Sequence, residues 1–185
     1  MFKSRLKSFP VLQTQSYRLR KIRRSDIDSI FKGLSNPRVS AWYGISYTSK
    51  RATQSQMKWY RRILKERTGI WWAICHAENP TELLGTCGFY HYDKDNRNTD
   101  MGYWLHEECW GQGIMSECLS TILAYAFSGM NLHRVEAEVE PENFASVALL
   151  GKLGFHFEGR RRQCEWRHDH YIDLEYHSLL NPEFE

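Results

Sequence analysis

The sequence predicts a layered α/β (α+β) domain. Two observations carry the expectation. Segments that alternate like strands are interleaved with segments of helical spacing, and the central strands follow one another through short polar turns as a meander. With 185 residues, the chain has the length of one domain with one sizeable core, residues 1–185 with the body at about 10–180.

Each element has its own signal. Tyr17–Arg24 alternates and reads as a strand. Ser25, with Asp28 three residues on, reads as a helix start, and helical spacing continues to about Leu34, where Asn36-Pro37 breaks it. Met57, Tyr60, Ile63 and Leu64 recur at helical spacing within a stretch from about Ala52 to Arg67. Ile70–Ala77 is aromatic and β-branched, Asn79-Pro80 turns the chain, and Leu83–Tyr92 and Thr99–His106 follow as strands joined by the polar loop Asp93–Asn98. A glycine-bearing turn, Trp110–Gly113, opens an amphipathic helix over Ile114–Phe127. His133–Glu140 reads as a strand and Asn143–Leu153 as a short helix closed by Gly154. Phe155–Trp166 and Tyr171–Leu179 read as a closing antiparallel pair.

Composition excludes several classes. No stretch is apolar for long enough to span a bilayer, and the basic start Met1–Lys7 lacks the apolar run of a secretory signal, so a cytoplasmic protein is expected. Cys75, Cys87, Cys109, Cys118 and Cys164 are odd in number and scattered, which argues against a disulfide framework or a zinc site. His168 and His170 flank Asp169 in what reads as a polar hairpin turn, and no metal is expected. A net charge of +3 is too small to call for nucleic acid. The basic runs Lys21–Arg24 and Arg160–Arg162 fit solvated surface, or contact with an anionic cofactor or a ribosomal partner.

The most informative stretch is Gly102–Glu117, a strand that enters a two-glycine turn and leaves as a helix. Glycine lets the backbone turn tightly and approach a ligand without a Cβ in the way. The first amides of a helix lack intrahelical acceptors and carry the positive end of its dipole. Gly111, Gln112, Gly113, Ile114 and Met115 therefore form a candidate cradle for a pyrophosphate. A tight strand-to-helix connection alone would also use these glycines. The stretch matches neither Gly-x-x-x-x-Gly-Lys-Ser/Thr nor Gly-x-Gly-x-x-Gly.

Five motifs then stand in order: Gly102-Tyr103-Trp104-Leu105, Trp110-Gly111-Gln112-Gly113 with Glu117, His133–Ala137, Glu142–Ser146, and Lys152–Phe155 with Glu158-Gly159. With Phe9–Leu12 and Arg18-Leu19-Arg20, they make the chain resemble the GNAT acetyltransferases, and within them the branch that acetylates ribosomal-protein N-termini. The resemblance implies a mixed, mostly antiparallel sheet of about seven strands, splayed at the cofactor site and flanked by about four helices. It implies acetyl-coenzyme A as co-substrate, its pyrophosphate at Gly111–Ser116, its pantetheine along the backbone of Trp104 and Leu105, and Asn143 against the cofactor arm. An amine acceptor is implied, either a protein N-terminus or a small molecule, and relatives often pair as homodimers. Neither a membrane nor direct contact with nucleic acid is expected. One departure from the family pattern is Glu108, where Gln or Arg is usual; it is expected to point to solvent.

The chemistry is attack of an amine on a thioester, which needs a base for the amine proton. Glu136, Glu138 and Glu140 lie at period two and share one face of their strand. A solvated strand face would look the same, but a carboxylate stripe in a cleft would also draw a cationic amine. Glu138 lies five residues before Asn143, the offset of the base in the related ribosomal alanine acetyltransferases, and is the first choice; Asp100, Glu158 and Glu165 are the reserves. The superfamily's usual proton donor is a tyrosine seven residues after the Asn143 position, where this chain has Leu150. Ser146 resembles the serine that the ribosomal branch keeps near the sulfur. Leu150 keeps open a second reading, a non-catalytic acyl-coenzyme A-binding sensor or interaction module. Trp42, Tyr43, Tyr47, Trp59, Trp71, Trp72 and Trp166 are candidates for either an acceptor cleft or the core.

Overall fold

A computed structural model describes residues 8–167 and 169–184. His168 of the polar turn and the basic start Met1–Lys7 lie outside the described residues. The chain begins with two short strands, β1 (Leu12–Gln13) and β2 (Tyr17–Lys21), and a 3-10 turn at Arg24–Asp26. Three helices follow: α1 (Ile27–Ser35), α2 (Pro37–Tyr43) and α3 (Lys50–Glu66). The meander is β3 (Ile70–His76), β4 (Gly85–Asp93) and β5 (Asn98–Leu105). Then come α4 (Ile114–Ala124), β6 (Arg134–Val139), α5 (Phe144–Lys152), β7 (His156–Arg167) and β8 (His170–Leu180).

The eight strands form one sheet in the order β1-β2-β3-β4-β5-β6-β8-β7. Every neighbouring pair is antiparallel except β5 and β6. The expected mixed, mostly antiparallel architecture is present, with eight strands rather than about seven and five α-helices rather than about four. Both faces of the centre are covered, and β3 shows how. Ile70, Trp72 and Ile74 face the cluster that contains the α4 residues Cys118, Leu119 and Ile122, whereas Trp71, Ala73 and Cys75 face Ile30, Leu34, Met57 and Ile63 of α1 and α3.

Several boundaries differ from expectation for local physical reasons. Ser25 is not an N-cap. The turn is organised by Asp26, whose carboxylate accepts the Arg23 backbone N–H at 2.6 Å and both guanidinium arms of Arg20 at 2.8 and 2.9 Å. Asn36-Pro37 ends α1 but also begins α2: the Asn36 side chain accepts the Arg38 N–H at 2.9 Å, and proline occupies the first turn. α4 stops at Ala124, and residues 125–129 continue as a π-turn in which the Met130 N–H reaches the Tyr125 carbonyl at 3.0 Å. α5 ends as expected. Gly154 takes φ +86°, the Phe155 N–H reaches the Leu150 carbonyl and the Gly154 N–H reaches that of Gly151.

Candidate active site

The sheet opens between its two parallel strands. β5 pairs with β6 only through Asn98–Asp100 against Arg134–Glu136. Beyond that point each strand stays paired with its outer neighbour, β5 with β4 as far as Leu105 and β6 with β8 as far as Val139. The resulting cleft encloses about 660 Å³. It is lined by the residues singled out for the cofactor and by the first choices for the chemistry: Trp104, Leu105, Gly111, Gln112, Gly113, Ile114, Met115, Ser116, Glu138, Asn143 and Ser146.

At one end lies the glycine turn. Gly111 and Gly113 have φ of +72° and +76°, in the left-handed region, and a Cβ built on either would meet nothing within 4 Å. The glycines are therefore required by backbone conformation, and the space beside them is open. The first internal bond of α4 runs from the Glu117 N–H to the Gly113 carbonyl at 3.1 Å, so the amides of Ile114, Met115 and Ser116 precede the helical ladder. These features suit a diphosphate, which needs clustered N–H donors and room for its oxygens. Glu108 does point away: it pairs with Lys32 at 2.5 Å, which holds its carboxyl below the usual range, and it is not among the cleft-lining residues.

α2 spans the site. Near its start the Arg38 guanidinium sits 5.7 Å over the Trp110 ring beside the glycine turn and pairs with Glu107. At its end Gly44 meets the guanidinium of Arg167, with Trp42 and Tyr43 lining the cleft between. Seven helical residues extend about 10 Å. The cofactor end and this second end are therefore separated along the length of α2.

The second end holds the carboxylates. On β6, Glu136 pairs with Arg134 at 2.6 Å, and Glu140 pairs with Arg167 at 2.5 Å. Glu138 between them is exposed and enters no salt bridge among the described residues. Its cross-strand neighbour is Tyr176, whose hydroxyl oxygen accepts from Arg161 at 2.7 Å. Burial raises the Tyr176 phenol, and the Glu138 carboxylate raises it further.

The reserve carboxylates separate clearly. Asp100 is held by His91 at 2.8 Å, with burial raising its pKa, and does not line the cleft. Glu158 is bound by Arg134 and by the Ser178 hydroxyl at 2.6 Å; the arginine holds its carboxyl down at about 2, which makes it a weak base, and it too lies outside the cleft. Glu165 lines the cleft but is paired with Arg167.

Near the start of α5 the Asn143 side chain caps the helix, accepting the Ser146 N–H at 3.2 Å. The Ser146 side chain lies near the Tyr103 phenol and lowers its pKa slightly, while burial, the larger effect, pushes that phenol up to about 12. Leu150 is fully buried in the core. Among the candidate aromatics, Trp42 and Tyr43 line the cleft. Trp71 and Trp72 are core, Tyr47 donates to Gln56, and Trp59 stacks on Trp71, while Trp166 is exposed outside the cleft. Sequence reasoning missed Arg167, Tyr103 and Tyr90 as cleft residues. For Tyr103 a signal existed, because it stands inside the Gly102–Leu105 motif.

A sheet splayed between parallel strands, an anion-cradling turn at one end and carboxylates at the other define an acyl-coenzyme A-dependent transferase. Residues 17–156 match the family model described as the acetyltransferase (GNAT) domain. The uncharacterized N-acetyltransferase YoaA of Bacillus subtilis (strain 168) is 34% identical over 175 residues, covering 94% of this chain and 98% of that protein. The chain belongs to the GNAT family: it is an N-acetyltransferase with acetyl-coenzyme A as its co-substrate. Two solved structures share the fold. RimL, a ribosomal L7/L12 alpha-N-protein acetyltransferase in complex with coenzyme A, has a TM-score of 0.82 at 21% identity, over 92% of this chain and 98% of that one. Spermidine N-acetyltransferase from Vibrio cholerae, with coenzyme A and spermine, has a TM-score of 0.80 at 20% identity, over 91% of this chain and 97% of that one. No described helix is long and apolar enough to cross a membrane, and no group of three or more described His, Cys, Asp or Glu residues could hold a metal ion.

Proposed function

We propose that the chain transfers acetyl from acetyl-coenzyme A to a cationic primary amine by direct attack, with Glu138 as general base. One observation carries this reading. The glycine turn and the single unbridged carboxylate of the β6 stripe line the same cleft, at opposite ends of α2. The amides of Gly111–Ser116 hold the diphosphate, and the free edge of β5 at Trp104 and Leu105 pairs with the pantetheine amides. Glu138 removes a proton from the ammonium form. The amine nitrogen then bonds to the acetyl carbon as the carbon–sulfur bond breaks; the sulfur leaves as thiolate and takes up the second proton, which the nitrogen loses as the amide forms. Ser146, with Tyr103 behind it, places a hydroxyl at the start of α5 to meet that charge.

The acceptor is a protein N-terminus or a small-molecule amine. RimL marks the first class among proteins of this fold and the Vibrio cholerae enzyme the second. Trp42, Tyr43 and Tyr90 beside Glu138 suit a cationic head of either kind. Leu150, in the core where a proton donor is usual, is the feature behind the alternative of a binding module, and thiol release separates the two readings. Purified protein with acetyl-coenzyme A is expected to release free thiol with at least one member of a panel of N-terminal peptides and polyamines. Binding of coenzyme A with no thiol release across the panel would establish the module. Glu138→Gln is expected to lower kcat by about 10²-fold or more with coenzyme A affinity unchanged; an unaffected rate moves the role elsewhere.

A further inference from the structure

Arg167 is the point where three walls of the cleft's second end meet. It ends β7, yet its guanidinium reaches Glu140 beyond the end of β6 at 2.5 Å and contacts Glu165 on its own strand. The same group lies flat against the C-terminal cap of α2. A Cβ built on Gly44 would stand 2.9 Å from Arg167 Cζ and 3.0 and 3.2 Å from its two terminal nitrogens. Gly44 takes φ +72°, so both backbone conformation and the guanidinium exclude a side chain there. The Arg167 side chain is 19% exposed, and it lines the cleft with Glu138, Glu140 and Glu165.

We propose that Arg167 is a positioning residue that latches the β7–β8 hairpin to α2 and β6, forming the amine-binding end of the cleft. This rests on the acetyl-transfer reading above and extends it to a residue that meets α2 at the end away from the cofactor turn. The latch has two consequences. Its planar fork pairs with two carboxylates while the guanidinium packs against the Gly44 cap, a geometry that lysine, with a single ammonium, does not reproduce. Its charge is shared between Glu140 and Glu165 and offsets one of their two negative charges, while Glu138 keeps no ion-pair partner among the described residues and meets an incoming ammonium. The charged and titratable groups around Glu138 are Glu136 and Glu140 on its own strand and its extension, Tyr176 on β8, Arg161 and Glu165 on β7, and Tyr90 on β4.

The experiment compares wild type, Arg167→Met and Arg167→Lys in steady-state acetyl transfer, with melting temperature measured alongside. Arg167→Met is expected to lower kcat/KM for the amine by on the order of 10²-fold. The KM for acetyl-coenzyme A should stay within about twofold, because the glycine turn lies at the other end of α2. The acidic limb of the kcat/KM profile should move to higher pH, since two uncompensated carboxylates then favour the protonated form of the base. Arg167→Lys should restore the limb but not the amine KM. Equal losses toward both substrates, or unchanged amine kinetics and an unmoved limb, would overturn the latch while leaving acetyl transfer intact. If wild type itself turns over no amine, the parent reading falls and the latch with it. Should Arg167→Met fold poorly, Glu165→Gln removes one arm of the fork at a half-exposed site and is expected to raise the amine KM alone; no change in that KM would count against the latch.

Discussion

The glycine turn permits a test in which one substitution has opposite signs at two places. Gly113 and Gly151 are both surrounded by open space, with nothing within 4 Å of a built Cβ. They differ in backbone: Gly113 has φ +76°, whereas Gly151 lies in the last turn of α5 with helical geometry. Because neither alanine would clash, the difference between them is purely conformational. At Gly151 alanine removes unfolded-state freedom and should stabilise the protein by about 0.5–1 kcal/mol. At Gly113 alanine must adopt the left-handed region, which costs about 1–2 kcal/mol.

That cost can be met in two ways. If the turn keeps its shape in the free protein, Gly113→Ala lowers stability by the full 1–2 kcal/mol, a melting-temperature loss of about 2–8 °C for a chain of this size. If the turn relaxes instead, stability is spared and the bound state must restore the strained shape, weakening coenzyme A by about 5- to 30-fold. The sum of the two losses should be about 1–2 kcal/mol either way, with Gly113→Asn losing less because asparagine tolerates this region. Calorimetric titration with coenzyme A and thermal melts on the same preparations give both numbers. A Gly113→Ala protein as stable and as tight as wild type would refute the assignment of that turn as a preformed anion cradle.

Other outcomes follow from the same geometry. Asp26→Ala strips the buried Arg20 of its bidentate partner, both side chains being 4% exposed, and should cost about 3–5 kcal/mol in denaturant unfolding. His106 is buried, with its Nε2 2.9 Å from the Ser29 hydroxyl, and burial lowers its pKa. Below an unfolded value of about 6.5 the unfolded chain then binds a proton that the folded chain resists, so stability is lost as pH falls, by up to about 1.4 kcal/mol per unit. Melts of wild type and His106→Gln between pH 7.5 and 5.5 should show a shallower decline in the variant. Ser146→Ala should lower kcat by about 10²-fold, and Tyr103→Phe by less, both with acetyl-coenzyme A KM unchanged. Rapid-mixing measurement of thiol release checks this, and unchanged rates would remove both hydroxyls from the leaving-group step.

What the sequence made legible was what depends on near neighbours. The aromatic and β-branched run of β3, the polar loop between β4 and β5, the two turn glycines and the Gly154 cap are local rules, and each lies where the pattern put it. The misses have longer reach. Asp26 rather than Ser25 organises the first turn because Arg20, on a strand paired across the sheet, brings it a charge. α2 was hidden because Asn-Pro reads as a break, and only the structure shows the same pair serving as cap and first turn of a seven-residue helix. β1 has two residues, too few for any periodicity, and exists because Leu12 and Gln13 find Leu19 and Arg18. Arg167 carries no local signal in the sequence. Its importance depends on Glu140 and Gly44, which are far away in sequence.

The splay explains why the site's residues come from so many segments. β5 and β6 separate after three paired positions, yet β5 remains bonded to β4 and β6 to β8 along their full lengths. Opening the sheet therefore sacrifices only the hydrogen bonds that residues 101–105 and 137–139 could have made to each other. It leaves two rows of backbone donors and acceptors facing one cleft. Such an edge is satisfied by a ligand that itself carries amides, as an added strand would. A pantetheine arm has that chemistry, and the diphosphate at its end matches the unladdered amides at the start of α4. The same separation leaves Glu138 exposed on the cleft wall. The proposed cofactor edge and the proposed base both lie along one interruption in strand pairing. A change that closed β5 onto β6 would be expected to abolish coenzyme A binding while raising thermal stability, a combination that no substitution confined to the glycine turn should produce.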